Sequence, residues 1–275
     1  MPIFLLVGVF FANFACKNQL IMRLTKTFPF FLGMTAVLCG CASHYEITKI
    51  DHSRIIVDST YDALPNDEAE AFIAIYQAKV DSIMSPVVGH TAKSMSSGRP
   101  ESTLSNLLSD ILVWAGSQYG EKPEFGVYNI GGIRATLPKG KVTFGNVLNV
   151  APFENKICFL SLKGSDVKDL FRQMAEVGGE GVSSSVRLVI SKDKKLISAT
   201  IDGKEIDLGK TYRIATIDYL SEGNDKMTAF AKHFDMVSPK AESNDMRYII
   251  SNYFKEQEAK GVVVDANVEG RIAVK

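Results

Sequence analysis

The chain has 275 residues, 46% of them hydrophobic and 23% charged, with 31 basic residues balanced by 31 acidic ones. That length and composition can bury the core of one domain or two small ones. The charge balance provides no basic field to hold nucleic acid, so any ligand has to be gripped by local chemistry.

From Met22 the chain reads MRLTKTFPFFLGMTAVLCGC: Arg23 and Lys26 form a short positive region, an apolar run follows, and small residues precede Cys41. This is the pattern of a secretory signal peptide. The ending Leu38-Cys39-Gly40-Cys41 resembles the lipobox of bacterial lipoproteins. It implies a lipid on Cys41, a mature chain starting there and a place in the cell envelope, on a bacterial membrane. An ordinary cleaved signal or a plain transmembrane anchor is the alternative. The expected organisation is signal peptide and lipobox over residues 1–41, with the true start at Met22, a polar tether over 42–65 and one folded domain over 66–275. Of the 4 cysteines this leaves only Cys158 in the body, so no intrachain disulfide is expected. In the apolar run KICFLSL, Cys158 reads as a small buried strand residue rather than a nucleophile.

The first predicted helix, EAEAFIAIYQAKVDSIM, is capped by Asn66 or Asp67. Its residues Phe72, Ile73, Tyr76, Val80 and Ile83 recur at helical spacing, so it should pack on something. A strand over PVVGHTAKSM, a turn with Gly98 and Arg99, and a helix over STLSNLLSDILVWAGSQY follow, the Leu and Trp114 stripe of the last reading as core. Downstream, FGVYNI, KICFLSLKG, SVRLVISK, LISATIDG, TYRIATIDYL and RIAVK read as strands. SDVKDLFRQMAEV, NDKMTAFAKHF and SNDMRYIISNYFKEQEAKG read as helices. The hairpin signal around SKDKK favours antiparallel pairing, and the order lacks the alternation of a doubly wound sheet. An α+β fold of layered sheets with outer helices is expected.

No reactive constellation is visible. His44, His52, His90 and His233 are scattered, without the His-x-His, Asp-x-His or Gly-Asn-His clusters of a two-metal hydrolase. No Gly-x-Ser-x-Gly elbow or phosphate-binding P-loop occurs. A binding constellation is present instead. Asn129 and Arg134 flank IGGI, where Gly131 and Gly132 form a turn whose free backbone N–H groups suit an anion. Phe153 and Tyr219 are candidate stacking faces, and Asp225 stands close to the second. An Arg, two aromatics and an Asp can hold phosphate, base and sugar hydroxyls respectively. Singly, each has a plainer explanation: the glycines a β-bulge, Phe153 a core residue, Asp225 the N-cap of the next helix.

The stretches ESTLSNLLSD, YNIGGIRATLPKGKVTFGNVLNVAPFENKICFLSLKG, YRIATIDYLSEGNDKM and NVEGRIAVK, in that order, closely resemble the C-terminal domain of the 5′-nucleotidase and UDP-sugar hydrolase family. The resemblance spans roughly residues 84 to 275. It implies a layered α/β/β/α sandwich with mixed sheets that binds the nucleoside part of a substrate between two rings. Asn129 and Arg134 match residues contacting phosphate or ribose, Phe153 matches the first ring, Tyr219 stands where the family usually has Phe, and Asp225 matches the acceptor of the ribose hydroxyls. There are departures. Ile130 replaces the first Gly of the run, and Asn224 and Lys226 interrupt the usual Gly-Gly-Asp-Gly. Gly98 stands where the family has an Arg, with Arg99 one position away as a candidate substitute.

In that family a separate calcineurin-like metallophosphoesterase domain supplies two metals and the hydrolysis. The resemblance therefore implies no catalytic residue, metal site or cofactor in this chain, with divalent metals expected only in a partner. Two readings follow. One is the nucleotide- or nucleoside-binding half of a split nucleotidase, acting with a separate metallophosphoesterase chain; the other is a non-catalytic nucleotide-binding or scavenging lipoprotein. A degenerate domain kept for structure or adhesion is a third.

Overall fold

A computed structural model describes residues 46–60 and 66–275. The predicted signal peptide, Cys41 and parts of the predicted tether lie outside the described residues. The chain divides into units of residues 1–64 and 65–275. In the first, residues 46–57 form no regular structure and are exposed, and a turn follows in which Thr60 N donates to Asp58 Oδ1 at 2.9 Å.

The second unit opens with α1 (Asp67–Met84), whose Asn66 cap accepts from Ala69 N at 3.0 Å as expected. The expected packing of its apolar face is not observed. No residue of α1 is buried, and Phe72 is 63% exposed. Its apolar spacing specifies a helix without an opposing surface within this unit. Strand β1 (Val87–Thr91) then pairs antiparallel with β3 (Gly140–Thr143), a strand with no clear signal in its polar sequence. Between them lie α2 (Thr103–Ala115), closed by a Ser102–Ser105 capping box, and β2 (Phe125–Tyr128).

After β3 come α3 (Phe144–Val150), β4 (Ile157–Lys163), α4 (Gly164–Glu176) and β5 (Gly181–Val182). Then follow β6 (Val186–Ile190), β7 (Leu196–Ile201), β8 (Lys204–Glu205) and β9 (Thr211–Ile217). The chain ends with α5 (Asp218–Ser221), β10 (Phe234–Val237), α6 (Met246–Ala259) and β11 (Ile272–Val274). The predicted helix over NDKMTAFAKHF breaks up. Asp225 and Lys226 take positive φ, 54° and 66°, a 3₁₀ turn covers Thr228–Lys232, and Phe234 already belongs to β10. Consecutive left-handed residues cannot continue a right-handed helix.

The central sheet runs β10-β4-β9-β2-β5, and a second sheet runs β11-β6-β7-β8. Both mix parallel and antiparallel pairs, giving the expected α+β class: β2 is parallel to β9 and β11 to β6, while β4 and β9 are antiparallel. Helices cover both faces of the central sheet. Neighbouring residues of a strand point to opposite faces. Phe125 meets Phe171 of α4 with ring centroids 5.5 Å apart, whereas Gly126 abuts α2 so closely that a Cβ there would lie 2.4 Å from Ser109 O. The core, including Cys158, closes around this sheet, and burial pushes the Cys158 thiol up to about 12.

Register decides what the central sheet presents at one end. The β2/β9 pair matches Phe125 with Ile214 and Gly126 with Ala215, so the carboxyl ends of both strands emerge side by side. Strand β4 starts at the same end, because Ile157 pairs with Ile217. Three segments therefore converge there: 129–134 after β2, 151–156 before β4, and 218–227 after β9.

Candidate functional site

The first of these segments leaves β2 through Asn129 and turns over Ile130–Gly132, with Gly132 N donating to Asn129 O and Ile133 N to Ile130 O, each at 3.1 Å. It is a 3₁₀ turn, neither the β-bulge nor a loop of free N–H groups. Ile130 N donates to Glu180 Oε2 at 2.6 Å and Arg134 N to Val150 O at 3.0 Å. Four of the expected anion-binding donors are thus spent inside the protein. Gly132 is required for side-chain room, since a Cβ there would come within 2.6 Å of Asn129 Oδ1.

The second segment is held against the third by Asp218, whose N donates to Lys156 O at 2.9 Å and whose Oδ1 accepts from Lys156 N at 3.0 Å. This fixes the loop carrying Phe153 beside the helix carrying Tyr219. Both rings stay open to solvent, Phe153 at 47% and Tyr219 at 37% exposure, so Phe153 is not core. In the third segment, Asn224 Nδ2 donates to Tyr219 O at 2.8 Å and folds the loop back. Asp225 caps no helix. Its Oδ2 accepts from Asn129 Nδ2 at 2.7 Å and its Oδ1 from the Tyr219 hydroxyl at 2.9 Å, and this hydrogen bond to a carboxylate raises the Tyr219 phenol above its usual range.

Asn129, Gly131, Gly132, Arg134, Phe153, Tyr219 and Asp225 line one cavity of about 310 Å³, together with Asn155. Arg134 is exposed there, with one long bond from Nη1 to Gly131 O at 3.4 Å, leaving most of its guanidinium donors for a ligand. Asn129 is 4% exposed; its Oδ1 is buried without a hydrogen-bond partner, while its Nδ2 is the atom that meets Asp225. Asn155 was not anticipated; its only sequence signal is its place two residues after Phe153.

Arg99 does not line the cavity. It pairs with Glu180, and its Nε donates to Gly179 O at 2.8 Å. Glu180 in turn holds the Ile130 N–H, so Arg99 and Glu180 support the turn from below. Glu180, 1% exposed, was also missed; a lone carboxylate in VGGEGV was its only sequence signal. A larger concavity of about 370 Å³ between α4 and β7, lined among others by Lys168, Arg172, Ser198 and Thr200, offers no aromatic face. Among the described residues no three His, Cys, Asp or Glu side chains come together as a metal site.

The Glu180 support makes a pH prediction. Burial pushes its carboxyl above the usual carboxylate range, against the opposing Ile130 N–H and Arg99 charge, and the Asp225 charge adds to the rise. The folded state then binds the proton more tightly than the unfolded state. Its stabilising contribution is fully present below the unfolded value, about 4.3, and is lost as pH rises through the raised native value. Glu180→Gln removes this titration. Urea unfolding at pH 4, 5.5 and 7 is expected to show wild type losing ground relative to the variant as pH rises; a flat or opposite trend refutes it.

The chain is similar to known proteins over this same region. The 5′-nucleotidase, C-terminal domain, family model matches residues 87–232, more than half of the chain. The trifunctional nucleotide phosphoesterase protein YfkN of Bacillus subtilis is 26% identical over 276 residues, 93% of this chain and 18% of that protein. Endonuclease YhcR of the same organism is 30% identical over 184 residues, 64% of this chain and 14% of its own length. The crystal structure of a 5′-nucleotidase precursor from Thermus thermophilus superposes with a TM-score of 0.65 at 26% identity, covering 78% of this chain and 44% of that one. The chain thus spans less than a fifth of the curated relatives it matches here. With the mixed sheets, the IGGIR turn and the matched motifs in one frame, this chain belongs to the 5′-nucleotidase C-terminal domain family.

Proposed function

We propose that this chain is the nucleotide- or nucleoside-binding half of a split 5′-nucleotidase-type phosphohydrolase, completed by a separate metallophosphoesterase chain. One observation carries the reading: two exposed rings, Phe153 and Tyr219, share a cavity with an exposed guanidinium, Arg134, and a carboxylate, Asp225. The rings offer faces to a base. Arg134 offers a planar fork to a phosphate, and the Asp225 carboxylate offers acceptors to sugar hydroxyls. The partner would hold the divalent metals and activate the water.

The test is a titration followed by an assay. Loss of the phosphate fork in Arg134→Ala should weaken AMP at least about ten-fold while changing adenosine less than about three-fold. Equal losses for both would contradict a phosphate role. Phosphate release should appear only when the metallophosphoesterase chain is added. Binding that no such partner converts into hydrolysis would instead favour the scavenging alternative.

We further propose that the protein lies in the cell envelope, lipid-anchored through Cys41 to a bacterial membrane. The Leu38-Cys39-Gly40-Cys41 sequence motivates this. Mass spectrometry of the mature N-terminus should find a lipidated Cys41, and an unmodified terminus elsewhere rejects the anchor.

A further inference from the structure

Arg247 lies in the first turn of α6, with its side chain 15% exposed. Its Nε and Nη2 are buried without a hydrogen-bond partner. These two donors share one edge of the guanidinium, the edge that a carboxylate grips with both oxygens. Buried polar groups are nearly always bonded, so an empty edge of this kind points to a partner that closes on it in another state of the molecule. Two carboxylates face it. Asp245 Oδ2 stands 3.6 Å from Nη2, but Asp245 is 2% exposed and its other oxygen is paired with Lys156, so it can offer the edge one oxygen at most. Glu154 Oε1 stands 3.9 Å from the same Nη2, and its side chain, 83% exposed, has room to swing inward with both oxygens.

Glu154 is the neighbour of Phe153. The loop that carries this ring is held at its ends, where Ala151 N donates to Val147 O and Met246 N donates to Asn155 O, each at 2.9 Å. Among the described residues no backbone hydrogen bond holds Pro152, Phe153 or Glu154 between those ends. The position of the ring therefore depends on what the side chains of the loop tip grip. We propose that Arg247 is a positioning residue for Phe153: Glu154 closes onto its Nε–Nη2 edge and pins the loop tip from which the ring projects. The inference rests on the nucleotide reading of the cavity and adds no contact to the ligand. Closing the 3.9 Å gap satisfies both orphaned donors and fixes the residue next to the ring. A base stacked on Phe153 holds the tip still and favours the closed pair; by linkage, the closed pair favours the stacked base to the same degree. One member of the pair is exposed, so salt screens it. Ligand affinity then carries a salt dependence that comes from the protein and not from a phosphate.

Isothermal titration of the full chain with adenosine, which has no charge, reads that dependence directly. At low salt Glu154→Gln should bind adenosine about three- to five-fold more weakly than wild type, and the gap should close as salt rises. Arg247→Lys, which keeps the charge without the two-donor edge, should behave like Glu154→Gln. The Glu154→Gln protein should melt with wild type, because the changed side chain is at the surface. With AMP, Glu154→Gln should weaken wild type by the same factor and have no further effect in Phe153→Ala, since Glu154 acts through the ring. An equal loss in both backgrounds, or wild-type affinity in Glu154→Gln at low salt, overturns the positioning role while leaving the nucleotide site intact. Failure of wild type to bind either adenosine or AMP removes the nucleotide site and this inference with it.

Discussion

Phe153→Ala is expected to weaken nucleotide binding about ten-fold to a hundred-fold while leaving the melting temperature of the protein unchanged. The two halves of this result have separate physical causes. A base stacked on an aromatic face is worth about 1–3 kcal/mol, and truncation removes the whole face. Stability is spared because the ring is 47% exposed and belongs to a loop held by its backbone and by Asp218, not by its own side chain. A core phenylalanine behaves in the opposite way, typically costing about 3–5 kcal/mol of folding free energy. Calorimetric titration with AMP, alongside a thermal melt, separates the two. A lowered melting temperature with unaltered affinity would return Phe153 to the core and withdraw the stacking role.

The mirror image is Arg271→Ala, expected to destabilise the fold by about 3–4 kcal/mol without changing affinity in the protein that remains folded. Arg271 is 2% exposed and grips Asp110 of α2 with both ends of its guanidinium, at 2.9 and 2.7 Å. It also donates to Glu269 Oε2 and Val182 O, each at 2.9 Å, tying β11 to α2 and β5 at once. Removing it leaves the Val182 carbonyl without this donor and the Asp110 carboxylate without a counter-charge in a partly buried place. At a few degrees per kcal/mol for a domain of this size, the melting temperature should fall on the order of 10 °C. Arg271→Lys should recover only part, since a point charge cannot reproduce the two-pronged contact. A loss under about 1 kcal/mol for Arg271→Ala would show that the network is not holding the sheet edge. The closing motif NVEGRIAVK is thus explained by an architectural arginine, whereas the IGGIR motif carries its arginine at the cavity.

Features under local physical control are legible in the amino-acid order alone. The cap at Asn66, the apolar runs that became β4 and β9, and the α4 periodicity needed no tertiary information, because each depends on neighbours within a turn or a strand. The motif residues that meet at the cavity were also legible, all except Asn155, because few side-chain types combine a stacking face, an anion fork and a sugar acceptor. How those residues are wired emerges only from long-range contacts. Asn129 meets Asp225 across 96 positions and Glu180 reaches Ile130 across 50, distances bridged by the parallel β2/β9 pair and by the β5 edge. The break in the predicted helix at Asp225 has the same origin. Its left-handed backbone is maintained by partners from other segments, a requirement that helical periodicity cannot express. Helix α1 shows the limit from the other side: its apolar spacing encodes a helix, but whether a surface lies opposite is a property of the assembled molecule, and within this unit its face is open to solvent.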